Sequence, residues 1–229
     1  MNRLTKPDDC LPTRRIVAVQ YKKTEPTHTA DVLIPIYFDY ASSLCYVAGE
    51  VVRGLDDELG ATFLWKGVQI ARLHRGWKNG HAIDERARAN VLRVADETGV
   101  ALRVPERWLD SAAALEGAEF ARERGRFAEY HRAVFAAAYE EGCDLARPGV
   151  LGDAAERAGL SAAELRRHLE AGTFAARVKA NEAESRAFGV SGYPTFMLGA
   201  FPLVGIQTRD TMRLLLGRYV EQARKRPVH

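Results

Sequence analysis

Cysteine is scarce in this chain of 229 residues: Cys10, Cys45 and Cys143 are the only three, and they lie far apart. That excludes a disulfide framework, and it points to a cytoplasmic protein, since thiols stay reduced in the cytosol. Long apolar runs are also missing. No stretch reaches the roughly 20 residues a membrane span requires, and the N-terminus lacks the apolar core of a signal peptide. Arg14-Arg15 ahead of a short apolar stretch has the start of a twin-arginine leader, but that stretch ends at Lys22-Lys23. Net charge is only +3. The excess sits in the first 30 residues, where Arg3, Lys6, Arg14, Arg15, Lys22 and Lys23 face Asp8, Asp9 and Glu25. A nucleic-acid partner would need clustered basic residues interleaved with aromatics, and the chain has none. Among the histidines, His74 and His81 have no Cys or carboxylate at ligand spacing, so no metal is expected.

What is present is a strand that turns through small hydroxylated residues into a helix, PIYFDYASSLCYVAGE at 35–50. Ile36, Phe38 and Tyr40 alternate with Tyr37 and Asp39, the pattern of a buried strand. Pro35 has no N–H for a ladder and is expected to begin that strand. From Ser43 the apolar spacing becomes helical (Leu44, Val47, Ala48, Val51, Val52, Leu55), predicting a helix over 43–59. Ser42 then stands at the helix cap and Cys45 in its first turn. A helix start presents unpaired N–H groups and partial positive charge, which favour a thiolate or carboxylate nearby.

FDYASSLCYVA resembles, without gaps, the active-site segment of DsbA-like thioredoxin-fold proteins. It is similar both to FDFxCPxCYLG of the FrnE-like oxidoreductases and to FDFxSPxSYLA of the 2-hydroxychromene-2-carboxylate isomerases and kappa-class glutathione transferases. Ser42 falls on the first motif position and Cys45 on the fourth. Far downstream, GVSGYPTF at 189–196 resembles the family's cis-proline segment, placing Tyr193 and Pro194 at the site. The resemblance implies a thioredoxin-like α/β fold with an inserted all-helical domain, and glutathione as co-substrate. A homodimer is the oligomer common among such relatives.

The chain in order suits that layout. Residues 1–30 read as a loose arm in which 15–21 alternates well enough to be an added edge strand. Residues 31–75 form the first half of the thioredoxin-like unit, with a second strand over 62–71 parallel to the first. Residues 76–188 carry helical spacing over 84–97, 111–124, 126–140, 150–158, 161–170 and 173–187, separated by glycines. Residues 189–225 return as strand 194–198, a turn at 199–202, a short strand at 203–204 and a helix over 209–221.

The chemistry is more open. A dithiol oxidant needs two thiols, and Ser42 occupies the first position. Its hydroxyl can instead donate to the thiolate of a bound glutathione while also serving as an N-cap. Cys45 reads either as an inert buried residue or as a single reactive thiol, with Cys10 a resolving partner if it reacts. Tyr193-Pro194 reads either as the cis peptide the resemblance implies or as an ordinary strand-initiating trans proline. The resemblance also puts Asn79 near a ligand, Trp108 and Ser111 are candidates to line the lid side, and Gly205-Ile206-Gln207 resembles the Gly-Ala-Gln of the oxidoreductase branch where glutathione-using relatives have Gly-x-Asp-Arg. The leading expectation is a glutathione-dependent isomerase or transferase acting on an electrophilic or aromatic small molecule. The alternatives are a monothiol oxidoreductase using Cys45 and a non-catalytic binding protein that keeps the fold.

Overall fold

The computed structural model describes residues 32–74 and 77–225; the expected edge strand at 15–21 and Cys10 lie outside them. A four-stranded sheet runs in the order β2-β1-β3-β4, built from β1 (Val32–Phe38), β2 (Ala61–Gly67), β3 (Thr195–Leu198) and β4 (Phe201–Val204). β1 and β2 are parallel from Val32↔Ala61 to Phe38↔Gly67, as a strand–helix–strand connection requires. β3 pairs antiparallel with β1 through Ile36↔Phe196 and Tyr37↔Thr195, and β4 antiparallel with β3.

Pro35 does not begin its strand. It lies in the middle of β1, three residues after Val32. This is tolerated because β3 reaches only Ile36 and Tyr37, so among the described residues the first half of β1 pairs with β2 alone. A missing N–H on the unpaired side removes no ladder bond.

The helix expected over 43–59 is two helices. α1 (Ser43–Val51) ends at Val52, and α2 (Leu55–Leu59) follows Gly54, whose φ of 74° is left-handed and suits glycine. The second strand is also shorter than expected. After Gly67 the chain leaves the ladder and closes a single helical turn, α3 (Ile70–Leu73), because the Ile70 N–H is taken by the Asp39 carboxylate at 2.7 Å.

Between β2 and β3 the described residues form helices and one isolated bridge, Ala82↔Arg107. The helices are α4 (Glu85–Thr98), α5 (Ala112–Glu123), α6 (Phe127–Tyr139), α7 (Pro148–Arg157), α8 (Ala162–Glu170) and α9 (Ala175–Ala187), each within a few residues of its expected bounds. Ser161 caps α8 by accepting the Glu164 N–H at 3.2 Å. Gly199-Ala200 alone makes the β3–β4 turn; Phe201 and Pro202, expected in the turn, belong to β4, an edge strand where proline is admissible. α10 (Arg209–Lys225) closes the chain, and no described helix is long and apolar enough to cross a membrane.

One face of the sheet carries the main core. Ile34, Ile36, Phe38 and Phe196 pack there with Val47 and Val51 of α1, Leu115 and Phe120 of α5, Phe135 of α6 and Met212 and Leu216 of α10. Each such side chain stabilises by about 1.5–3 kcal/mol when fully buried. The sheet and the helical segment therefore share one core, and the end of β1 lies against both.

Candidate active site

Asp39 ends β1 and organises the turn beyond it. The residue is fully buried, accepting the Ala41 N–H at 3.0 Å and the Ile70 N–H at 2.7 Å. The Ser111 hydroxyl, itself buried, faces the same carboxylate and steadies its charge, short of good hydrogen-bond geometry. One carboxylate thus ties together the end of β1, the start of α3 and the entry to α5. Burial raises its pKa to about 6, against the lowering pull of the Ala41, Ser111 and Ile70 donors. Asp39 was passed over as a functional residue in the sequence, although an acid between Phe38 and Tyr40 in an apolar strand is itself a signal.

Ser42 is the N-cap of α1. Its backbone is extended (φ −97°, ψ 113°), and its Oγ accepts the Cys45 N–H at 3.4 Å, a long bond. The Ser42 N–H donates to the Asp39 carbonyl at 3.1 Å, closing the turn. The same hydroxyl acts on the Cys45 sulfur, favouring its charged form. Cys45 sits one turn in with no exposed surface, against 4% for Ser42. Burial pushes its thiol up to about 12, more than the Ser42 contact lowers it. Among the described residues it is the free cysteine.

The second motif meets the first. The Tyr193–Pro194 peptide is cis. Pro194 is buried, and its carbonyl accepts the Gly205 N–H at 2.8 Å. The half-buried Tyr193 is fixed by a 3.0 Å hydrogen bond between its hydroxyl and that of Ser185 on α9, with the His74 ring edge-on at 5.9 Å. Burial raises the Tyr193 pKa, and both Asp39 and Cys45 act on it in the same direction, which puts the phenol in the electrostatic field of the α1 turn.

Asn79 and Trp108 come together, apart from these groups. The Gly80 N–H donates to the Trp108 carbonyl at 2.7 Å and the Trp108 N–H to the His81 carbonyl at 2.9 Å. Trp77 stacks on Trp108 with ring centroids 3.7 Å apart, its buried Nε1 without a partner. Trp77 escaped the sequence reading because nothing local to Trp77-Lys78-Asn79 predicts a ring partner some 30 residues away. Gln207 is exposed in the loop before α10, and no contact ties it to Ser42 among the described residues. Beneath the site, the Tyr40 hydroxyl meets His131 Nδ1 at 3.1 Å, and the Tyr139 hydroxyl donates to the Tyr40 carbonyl at 2.8 Å.

A parallel strand–helix–strand unit, an antiparallel pair returning beside it and a helical segment between them define a thioredoxin-like α/β fold with a capped-helix site. The DSBA-like thioredoxin domain model matches residues 33–217, and the chain belongs to that family. No curated protein matches it in sequence. Among solved structures, it resembles a 2-hydroxychromene-2-carboxylate isomerase at 20% identity and TM-score 0.68, over 85% of this chain and 97% of that one. It resembles a probable DsbA oxidoreductase from Streptomyces coelicolor at 22% identity and TM-score 0.70, over 86% and 92%. A third likeness is to the cytosolic disulfide reductase DsbM from Pseudomonas aeruginosa, solved with GSH, at 19% identity and TM-score 0.63, over 83% and 100%. Identities this low establish the shared fold.

Proposed function

We propose that the protein is a glutathione-dependent isomerase or transferase for an electrophilic or aromatic small molecule, with Ser42 stabilising the glutathione thiolate. The observation that carries this reading is the contrast at the head of α1: Cys45 is sealed, with its thiol pushed up to about 12, while Ser42 stands at the helix start as its N-cap. A reacting thiol then has to arrive with a ligand. The thiol gives its proton to solvent, and the thiolate receives the Ser42 hydroxyl and the field of the helix start, both of which favour the charged form. The sulfur adds to an electrophilic carbon and a carbon–carbon double bond becomes single. The pair displaced from that double bond rests on the adduct as a carbanion: after rotation its return expels the thiolate and gives an isomer, whereas its uptake of a proton from solvent, with the carbon–sulfur bond retained, gives a conjugate. The Tyr193 backbone, turned by the cis peptide, offers strand-like pairing to the peptide part of such a ligand. The likeness to an isomerase and to a reductase solved with GSH supports this choice of co-substrate.

The test is calorimetric titration of reduced glutathione into the protein and into Ser42→Ala, with thiolate absorbance followed in parallel. Binding in the micromolar to millimolar range, with a thiolate signal that Ser42→Ala abolishes, is the expected result. Absence of binding at high glutathione concentration would refute it and favour a non-catalytic role.

A further inference from the structure

Asp39 titrates from a place that bulk water does not reach. The residue has no exposed surface, yet burial brings its pKa to about 6, within range of neutral pH. Its charge faces Cys45 on α1, Tyr40 just beyond β1, Tyr139 on α6 and Tyr193 before β3, and it raises the pKa of each. Asp110, ahead of α5, raises that of Asp39 in turn. A proton bound for Asp39 has to cross the fold.

Most directions are closed. Toward α1 and α6, Cys45, Tyr40 and Tyr139 have no exposed surface. The hydroxyls there are already paired, that of Tyr139 with the Tyr40 carbonyl and that of Tyr40 with His131. Toward the second face of the sheet, Tyr37 and Val68 pack with Val190 and Met197 in an apolar cluster.

The remaining direction is the seam where α3, α5 and α9 meet, and it is polar. Ser111, 1% exposed, faces the Asp39 carboxylate from the head of α5, and its Oγ lacks a good hydrogen bond in the protein. Gln69 stands at the N-cap of α3. Its N–H donates to Glu182 of α9 at 3.3 Å, while the next N–H along, that of Ile70, donates to Asp39. Gln69 is 6% exposed, and its Oε1 is a second buried oxygen without a partner. Glu182 also holds Arg72 of α3 at 3.5 Å and Arg186 at 3.8 Å. Arg72 and Lys179 of α9 act on Glu116 of α5, a half-buried residue whose Oε2 is sealed and is the third such oxygen. These links lead from Asp39 around α3 and α9 to α5, which carries both Glu116 and Ser111. Three buried oxygens without protein partners on the walls of one seam are the setting in which ordered water is held.

We propose that ordered waters in this seam carry protons between Asp39 and Glu116, past Gln69 Oε1 and through the Ser111 hydroxyl, and that Asp39 exchanges with solvent by this route. A hydroxyl both donates and accepts, so Ser111 gives its own proton to Asp39 as it takes another from a water. Glu116, at the outer end, takes a proton from bulk solvent and returns to carboxylate on passing it inward. The net change is one O–H bond formed on Asp39 and one proton removed from solvent. A consequence, which rests on the function proposed above, is that charge is adjusted beneath a filled site. A thiolate held over α1 raises the proton affinity of Asp39, just as Asp39 raises that of Cys45, and the compensating proton arrives from behind the turn.

The experiment is time-resolved infrared spectroscopy of the full, ligand-free chain after a jump from about pH 8 to about pH 5, which spans the Asp39 titration. The carbonyl band of the buried carboxylic acid is assigned to Asp39 by its loss in Asp39→Asn. Its appearance is expected to slow by about tenfold or more in Ser111→Ala and in Glu116→Leu, where entry must wait on local opening of the fold. Ser111→Thr, which restores the hydroxyl, is expected to recover the rate. Unchanged rates in Ser111→Ala and Glu116→Leu would overturn the proposal in favour of entry through the α1 turn, as would a slowing that Ser111→Thr does not recover. Absence of an Asp39 band after the jump would overturn it outright. Because no glutathione is present, each outcome is independent of whether glutathione binds.

Discussion

Alkylation of Cys45 tests the geometry of the α1 turn most directly. An ordinary cysteine has a pKa near 8.5, so about a quarter of it is thiolate at pH 8. With the Cys45 thiol pushed up to about 12, the thiolate share at that pH falls to about one part in ten thousand, a loss of roughly a thousandfold from ionisation alone. The sulfur also has no exposed surface, so reaction requires the turn or the whole domain to open. Global opening costs about 5–15 kcal/mol in typical domains, which adds at least three further powers of ten. The assay is labelling with iodoacetamide at pH 8 and quantification of the Cys45 peptide by mass spectrometry over a urea series. Labelling is expected to be negligible in native buffer and to rise with urea in step with the unfolding transition. Modification of the Cys45 peptide within minutes in native buffer would refute the burial argument, and with it the preference for Ser42 over Cys45 as the working residue.

Asp39 and His131 carry opposite pH dependences. Burial raises Asp39 to about 6, so its contribution is complete below the unfolded carboxylate pKa and is lost as pH rises through 6. Asp39→Asn should therefore remove a decline of about 2–3 kcal/mol between pH 4 and 7, visible as a flatter urea midpoint against pH; an unchanged slope would count against it. His131 is held neutral, its pKa lowered to about 3 by burial and then by Arg122, so its contribution is present above the unfolded pKa and is lost as pH falls from about 6.5 toward 3. His131→Phe should lessen thermal destabilisation at pH 4 relative to pH 7, and an equal loss in both proteins would contradict that. At Gly117, an added Cβ would lie 2.1 Å from the Tyr130 hydroxyl and 2.7 Å from the ring carbon bearing it. Gly117→Ala should cost about 1–3 kcal/mol in chemical denaturation, only partly rescued by Tyr130→Phe; a neutral effect would show that α5 and α6 yield easily. Ser42→Ala should cost about 0.5–2 kcal/mol as a lost N-cap, so loss of glutathione binding by that variant should be read beside its unfolding midpoint.

The sequence by itself determined whatever depends on spacing along the chain. The two motifs, the parallel β1–β2 unit and the helices from α4 to α9 follow from local periodicity and from glycines that end helices in left-handed turns, as at Gly99, Gly125 and Gly159. Ser42 as a cap was legible for the same reason, since capping involves residues within one turn. What only the tertiary structure decided depends on distant neighbours. Pro35 is admitted to the middle of β1 because β3 is short and stops opposite Ile36. Asp39 is fixed by the N–H of Ile70, 31 positions along the chain, and faces the Ser111 hydroxyl, 72 positions along. Trp77 finds Trp108 through the 80–82 and 106–108 pairing. The fate of Cys45 is the sharpest case: its place in the first helical turn suits a reactive thiol, yet its burial in the core that the sheet shares with the helical segment removes it from water. Burial sets the pKa of a thiol, and burial is contributed by residues that no local pattern connects.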